Sequence, residues 1–259
     1  MGELVGRVDE QDQVDADVRI AGALVAARYP DAIGAVLGGS SGRGQATPGS
    51  DLDITVLLPD DGISRREVLR HEGRLAEVFL NTRVDLREAF AQSRVTRRAT
   101  ALFLYADSVQ LHDPIGHVEL LRAEARDLLA AGPDPLTQDQ SDAARFLLTD
   151  LLDDLSETGP DSDRHEQLAI ADRMLREAAH LLTAHRRAWN GAGKWLPRRL
   201  ITADPILGRE LLRGHLAAAE HADPTPLAAA VRSVLELVGG LLREGYTETR
   251  SATATPQTR

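Results

Sequence analysis

Cysteine is absent from the 259 residues. That excludes disulfides, iron–sulfur clusters and thiolate zinc sites, and with them a secreted, disulfide-held scaffold. No apolar run reaches the roughly 18–20 residues that a membrane span needs. The opening MGELVGRVDEQDQ is acidic and lacks the basic-then-apolar order of a signal peptide. These absences lead us to expect a cytoplasmic protein with no membrane partner. A basic excess is also missing, with 30 Lys and Arg against 40 Asp and Glu and a pI near 5.3. That argues against a nucleic-acid partner. A cationic small molecule or a metal–nucleotide complex suits an acidic chain better. Lysine is nearly missing: Lys194 is the only one.

What is present divides in two. Residues 11–29 carry apolar positions at helical spacing, and the short run 32–37 (AIGAVL) reads as a strand. The Gly, Ser and Pro of GGSSGRGQATPGS point to irregular backbone. Residues 51–58 (DLDITVLL) are β-branched and apolar, and Pro59-Asp60-Asp61-Gly62 stops them. Ser64 to Glu72 reads as a short helix, Arg74 to Asn81 as a strand, and Asp85 to about Arg98 as a helix. Residues 101–111 read as a strand or as a helix then a strand.

From about 117 the chain becomes Ala/Leu-rich, with helical periods over 117–131, 139–157, 164–189, 205–221 and 227–246. The expected fold class is α+β: a small mixed sheet with flanking helices over 1–133, an all-helical domain over 134–246, and a disordered tail over 247–259.

The segment Gly38 to Asp53, GGSSGRGQATPGSDLD, carries the chemistry. A Gly-Gly-Ser follows one strand, and Asp51-Leu52-Asp53 opens the next. Alternation puts Asp51 and Asp53 on one face. Two carboxylates so spaced can hold magnesium-type cations, which take oxygen ligands. Gly38 and Gly39 allow close backbone approach to phosphate, and Ser40 can donate to it. Either feature alone is weak. Together they describe a site for a metal–nucleoside triphosphate, where transfer depends on positioning and charge neutralisation. No Gly-Lys-Ser/Thr of a Walker loop occurs, and Gly42 and Gly44 lead to a strand, unlike a dinucleotide fingerprint. The Ser40-Ser41 pair has no His/Asp partner that the sequence can name.

This segment resembles the signature of the DNA polymerase β superfamily of nucleotidyltransferases: Gly-Ser, about ten residues, then Asp-x-Asp between apolar residues. The resemblance covers about residues 30–112, and the helical half more loosely. It is greatest to the small bacterial aminoglycoside adenylyltransferases of the streptomycin/spectinomycin type. It implies an antibiotic-resistance enzyme that moves AMP from ATP, its co-substrate, to a hydroxyl of a small, possibly cationic acceptor. Two Mg2+ ions would be held by Asp51 and Asp53, and Arg43 would help Gly38, Gly39 and Ser40 with the phosphates. A third carboxylate is implied on a neighbouring strand. Glu77 in Ala76-Glu77-Val78 is preferred, as metal ligand or general base, and Asp85 in Val84-Asp85-Leu86 is the alternative. The similarity of Gly193-Lys194-Trp195-Leu196-Pro197 to a Gly-Lys-x-x-Pro element implies that Lys194 reaches the nucleotide phosphates.

Two further features have plainer readings. Asp150, Asp153, Asp154 and Glu157 make an acidic stripe on one helix, either a face for a polycation or simply a solvated face. His180 and His185 are expected to be structural. The same resemblance admits other roles for the chain: a toxin or regulator that nucleotidylates a protein, or a non-catalytic nucleotide-binding module.

Overall fold

The structure, a computed structural model, describes residues 2–47, 49–158 and 163–248, with backbone alone for 2–11. The chain divides into two compact units, Met1–Pro133 and Asp134–Arg259.

The first unit runs α1 (Gly2–Arg28), β1 (Gly34–Leu37), α2 (Gly39–Gly42), β2 (Leu52–Leu57), β3 (Arg65–His71), β4 (Arg74–Asn81), α3 (Arg83–Thr96), α4 (Thr100–Ala106), β5 (Val109–His112) and α5 (His117–Ala131). The strands form one five-stranded sheet in the order β3-β4-β2-β1-β5. β2 and β4 are parallel and the other pairs antiparallel, so the sheet is mixed. Alternation along the strands decides what each face does. Leu52, Ile54 and Val56 of β2 and Ala76, Val78 and Leu80 of β4 point to one face, where they are buried with Ile20, Leu24 and Val25 of α1. Each such Leu, Ile or Val side chain contributes about 1.5–3 kcal/mol by leaving water. The residues between them, Asp53 and Glu77 among them, must then face the other way.

Three expectations need correction in this unit or the next. Residues 65–71 are a strand, not a helix. Arg, Glu and Leu are good helix formers, but Val68 and Leu69 are the only apolar residues of the stretch and give no helical stripe. Pairing with β4 decides the outcome, through a two-residue loop of Glu72 and Gly73 with φ of 45° and 79°. Positive φ at both positions is what the favoured hairpin turn requires. The Gly-rich segment after β1 is also not wholly irregular, because Gly39–Gly42 closes one helical turn, with Gly42 N–H donating to Gly38 O at 2.8 Å.

The second unit holds α6 (Gln138–Glu157), α7 (Arg164–His185), α8 (Trp195–Ala203), α9 (Leu207–His221) and α10 (Thr225–Glu236). Thr137 and Gln140 cap α6 reciprocally, a full capping box. Leu148, Leu152, Met174, Leu181, Leu211, Leu227 and Val231 form its apolar core. Asp204, at the end of α8, accepts from Arg186 at 2.7 and 3.1 Å and from the Ile206 and Leu207 amides at 3.1 and 3.0 Å. Burial acts to raise its pKa, but Arg186 and the two amides outweigh it and hold the carboxyl below its ordinary value.

The third correction is the last helix, which stops at Glu236 rather than 246. Gly239 and Gly240 take φ of 108° and 78°, outside any helix. The chain then returns along α6. Arg145 donates to the carbonyls of Gly239 and Gly240 at 2.7 and 3.0 Å, and the rings of Phe146 and Tyr246 stack at 4.3 Å. Of the tail expected to be disordered, Thr247 and Glu248 carry no helix or strand, and 249–259 lie outside the described residues, as do Gly159 and Pro160. Among the described residues no helix is long and apolar enough to cross a membrane.

Candidate functional site

The site grows from the pairing of β2 with β4. Asp53 lies level with Glu77 in that parallel register. Level residues on neighbouring strands share a face, and Asp51, two residues before Asp53, shares it too. Carboxylate oxygens of Asp51, Asp53 and Glu77 come within 4.8 Å of one another, and all three residues are half-buried. At an effective dielectric of about 20, each pair of like charges at that distance costs about 3–4 kcal/mol. Arg66, on the edge strand β3, offsets part of this with Nε 2.5 Å from Glu77 Oε1. Its guanidinium also lies 5.5 Å from the Phe79 ring centroid. A divalent cation would relieve the rest. A donor set made only of carboxylate oxygens fits magnesium-type ions and not softer metals.

The turn after β1 comes up against this triad. Gly38 N–H donates to the Asp53 carbonyl at 2.8 Å. Gly39 has φ +61°, and a Cβ there would lie 1.8 Å from Asp53 Oδ2. The Asp53 carboxylate therefore rests directly on the Gly39 backbone. A Cβ at Gly38 would lie 2.8 Å from the Leu104 carbonyl on α4. In the sequence, phosphate approach is one reason for these glycines. Their close packing is a second reason for glycine, and it involves partners distant in sequence. Ser40 and Arg43 belong to the same turn and are half-buried.

Asp85 does other work. Thr82 Oγ1 accepts from the Asp85 amide at 3.2 Å and donates to Asp85 Oδ2 at 2.9 Å, and Ser64 donates to that same oxygen. The Ser64 hydroxyl, then that of Thr82, holds the Asp85 carboxyl below its ordinary value. Asp85 is thus engaged in capping α3 and in tying down Ser64 ahead of β3.

One cluster was missed from sequence. Asp17, in the middle of α1, is fully buried. It accepts from Arg74 at 2.5 and 3.4 Å, from Ser41 Oγ at 2.6 Å and from Gln13 at 2.8 Å. The signal was available: Asp17 sits at helical spacing with Ile20, Ala21 and Leu24, all buried. A carboxylate on an apolar stripe calls for a buried partner.

On the second unit, Lys194 is exposed and immediately precedes α8. Asn190 shapes the loop before it, accepting from the Gly191 amide at 2.8 Å and bonding His180 Nδ1 at 3.1 Å. His180 therefore has a structural partner, while His185 is exposed at the end of α7. Trp195 carries Arg198 and Arg199 over its ring at 5.0 and 5.2 Å. Of the acidic stripe on α6, Asp153 is taken up by Arg243 at 2.5 and 2.7 Å, while Asp150, Asp154 and Glu157 are exposed.

With this geometry in hand, residues 23–103 match the family model of the nucleotidyltransferase domain. The matched span begins in α1, includes all three triad carboxylates and ends in α4. The match and the triad it encloses support a transferase that acts on nucleotides. A nucleotidyltransferase-like protein from Exiguobacterium sibiricum 255-15 is similar in structure, at 12% identity, over 85% of this chain and 74% of that one, with a TM-score of 0.46. A likeness that slight carries no argument. No curated protein matches the chain.

Proposed function

We propose that the protein transfers AMP from ATP to a hydroxyl of a small molecule and releases pyrophosphate. The observation that carries this reading is the convergence of Asp51, Asp53 and Glu77, oxygens within 4.8 Å, against the Gly38–Arg43 turn. Asp51 and Asp53 would hold magnesium, with Glu77 as third ligand or as the base for the acceptor. Two such ions would polarise the α-phosphate and neutralise charge on the leaving group. The Gly38 and Gly39 backbone, the Ser40 hydroxyl and Arg43 would orient the β- and γ-phosphates. Lys194, on its Gly-Lys-x-x-Pro element, would be a further cation for the triphosphate. In the base role, Glu77 would take the proton of the acceptor hydroxyl as the new bond to phosphorus forms. A polycationic, aminoglycoside-like acceptor is the class we put first, on the resemblance to the aminoglycoside adenylyltransferases and the acidic balance of the chain.

The test is pyrophosphate release from Mg–ATP across a panel of aminoglycosides, spectinomycin and lincosamides. Release that depends on one compound, and falls at least about 10²-fold in Asp53→Asn with the fold intact, supports the reading. Full activity in that variant overturns the metal assignment. Silence across the panel in protein that binds Mg–ATP withdraws the antibiotic acceptor. Protein targets would then be sought by mass spectrometry for an added AMP.

A further inference from the structure

Asp17 is a buried carboxylate that the proposed chemistry does not use. It is the hub of a network in which two members, Ser41 and Arg74, adjoin the site. Ser41 follows Ser40 directly, and its Oγ donates to Asp17 Oδ2 at 2.6 Å. Arg74 opens β4, three residues before Glu77. It donates to both oxygens of Asp17 and, through the second nitrogen of its fork, to the carbonyl of Ser50 at 3.1 Å. Ser50 directly precedes Asp51. One fully buried carboxylate thus holds the segment from Gly38 to Asp51 at both ends: through a hydroxyl at the phosphate end and through an arginine at the metal end.

The chemistry suits a clamp. Burying a carboxylate without partners is costly, so Asp17 is satisfied only when Ser41, Arg74 and Gln13 all face it. The fork of Arg74 is planar and rigid, which ties the position of Ser50 to that of Asp17. Between the two ends, the described residues 43–47, 49 and 50 lie in no helix or strand.

We propose that Asp17, Ser41 and Arg74 are positioning residues: Ser41 sets Ser40 and the glycine turn for the nucleotide, and Arg74 sets Asp51 for the metal. This rests on the nucleotidyl-transfer reading. It makes a claim that a merely stabilising cluster would not, because the two arms have separable effects.

The experiment measures two affinities in the full chain, Mn2+ alone by electron paramagnetic resonance and Mg–ATP by calorimetry, with a thermal melt of each variant. Ser41→Ala frees the phosphate end and leaves the Asp17–Arg74 pair. We expect Mg–ATP binding at least five-fold weaker, with Mn2+ binding within two-fold of wild type. Arg74→Lys keeps the charge beside Asp17 but loses the fork. We expect Mn2+ binding at least five-fold weaker. Asp17→Asn should weaken both. If Asp17→Asn does not fold, the two milder variants decide the matter alone. Equal losses of both affinities in Ser41→Ala and Arg74→Lys, in step with their melting temperatures, would make the network structural only and overturn the inference. So would wild-type affinities in both. A wild type that binds Mn2+ but no Mg–ATP overturns the nucleotide reading and this inference with it. A wild type that binds both, with unchanged variants, overturns this inference alone.

Discussion

Replacing Gly39 by alanine separates two costs that usually come together. The first is conformational. Gly39 has φ +61°, and an L-residue in that left-handed region costs about 1–2 kcal/mol. In a unit of this size that lowers the melting temperature by about 3–8 °C. The second cost falls on the site. The new methyl carbon would stand 1.8 Å from Asp53 Oδ2, 2.7 Å from its Cγ and 2.9 Å from its Cβ. An ordinary contact needs about 3.5 Å, so the carboxylate must retreat by more than about 1 Å. A misplacement on that scale costs about 10²-fold in rate, and a ligand moved that far holds its metal poorly. Gly44→Ala supplies the control. Its φ is +68°, so the conformational cost is alike, but its added Cβ would meet only a Val14 methyl at an ordinary 3.5 Å. Both variants should melt several degrees below wild type. Only Gly39→Ala should lose Mn2+ affinity, by about 10-fold or more on the same geometry. Wild-type Mn2+ binding in Gly39→Ala would refute the placement of Asp53 against the turn. Equal loss in Gly44→Ala would show that strain in the turn, and not the clash, governs the site.

Two further outcomes are expected. Glu77→Gln should weaken Mn2+ binding at least 10-fold, whereas Asp85→Asn should keep it within two-fold and instead loosen the start of α3, seen as faster amide exchange at residues 83–86; the reverse pattern would exchange their roles. For Asp204, whose carboxyl is held below its ordinary value by Arg186 and two amides, the stabilisation is fully present above about pH 4 and is lost as pH falls through the lowered folded value. Asp204→Asn should therefore cost about 1–3 kcal/mol at pH 7. Its deficit in melting temperature against wild type should narrow below pH 4, and a deficit that stays constant down to pH 2.5 would refute the link.

Much of the site could be read from the chain because its parts are local. Asp51 and Asp53 sit two apart on a strand, and the glycines lie one loop away. The same holds for the sheet core, where β2 and β4 alternate or run apolar. What resisted reading depends on partners far away in sequence. Asp17 looks like one more acid on an acidic helix until Arg74, 57 residues on, is seen beside it. β3 has a helix former's composition and becomes a strand because β4 offers it an edge. The choice between Glu77 and Asp85 also turns on register. Glu77 lies level with Asp53, while Asp85 is engaged by Thr82 and Ser64. The end of α10 was legible in principle, since Gly239-Gly240 interrupts the periodicity. Even so, only the bonds from Arg145 show where the chain goes next.

The parallel register of β2 and β4 has a last consequence. Asp53 and Glu77 meet only if Ile54 meets Val78, and a slip of one residue would turn Glu77 into the apolar layer and Val78 out to water. The arrangement that assembles the carboxylates is thus the same one that buries the core, and no partly ordered sheet can satisfy one without the other. A cation held by the triad would then be coupled to the folding equilibrium itself. At a concentration 100 times its dissociation constant, the ion would deepen the native well of the first unit by about 2.7 kcal/mol. Titrating metal against chemical denaturant would therefore count the correctly registered molecules in a population before any substrate is known.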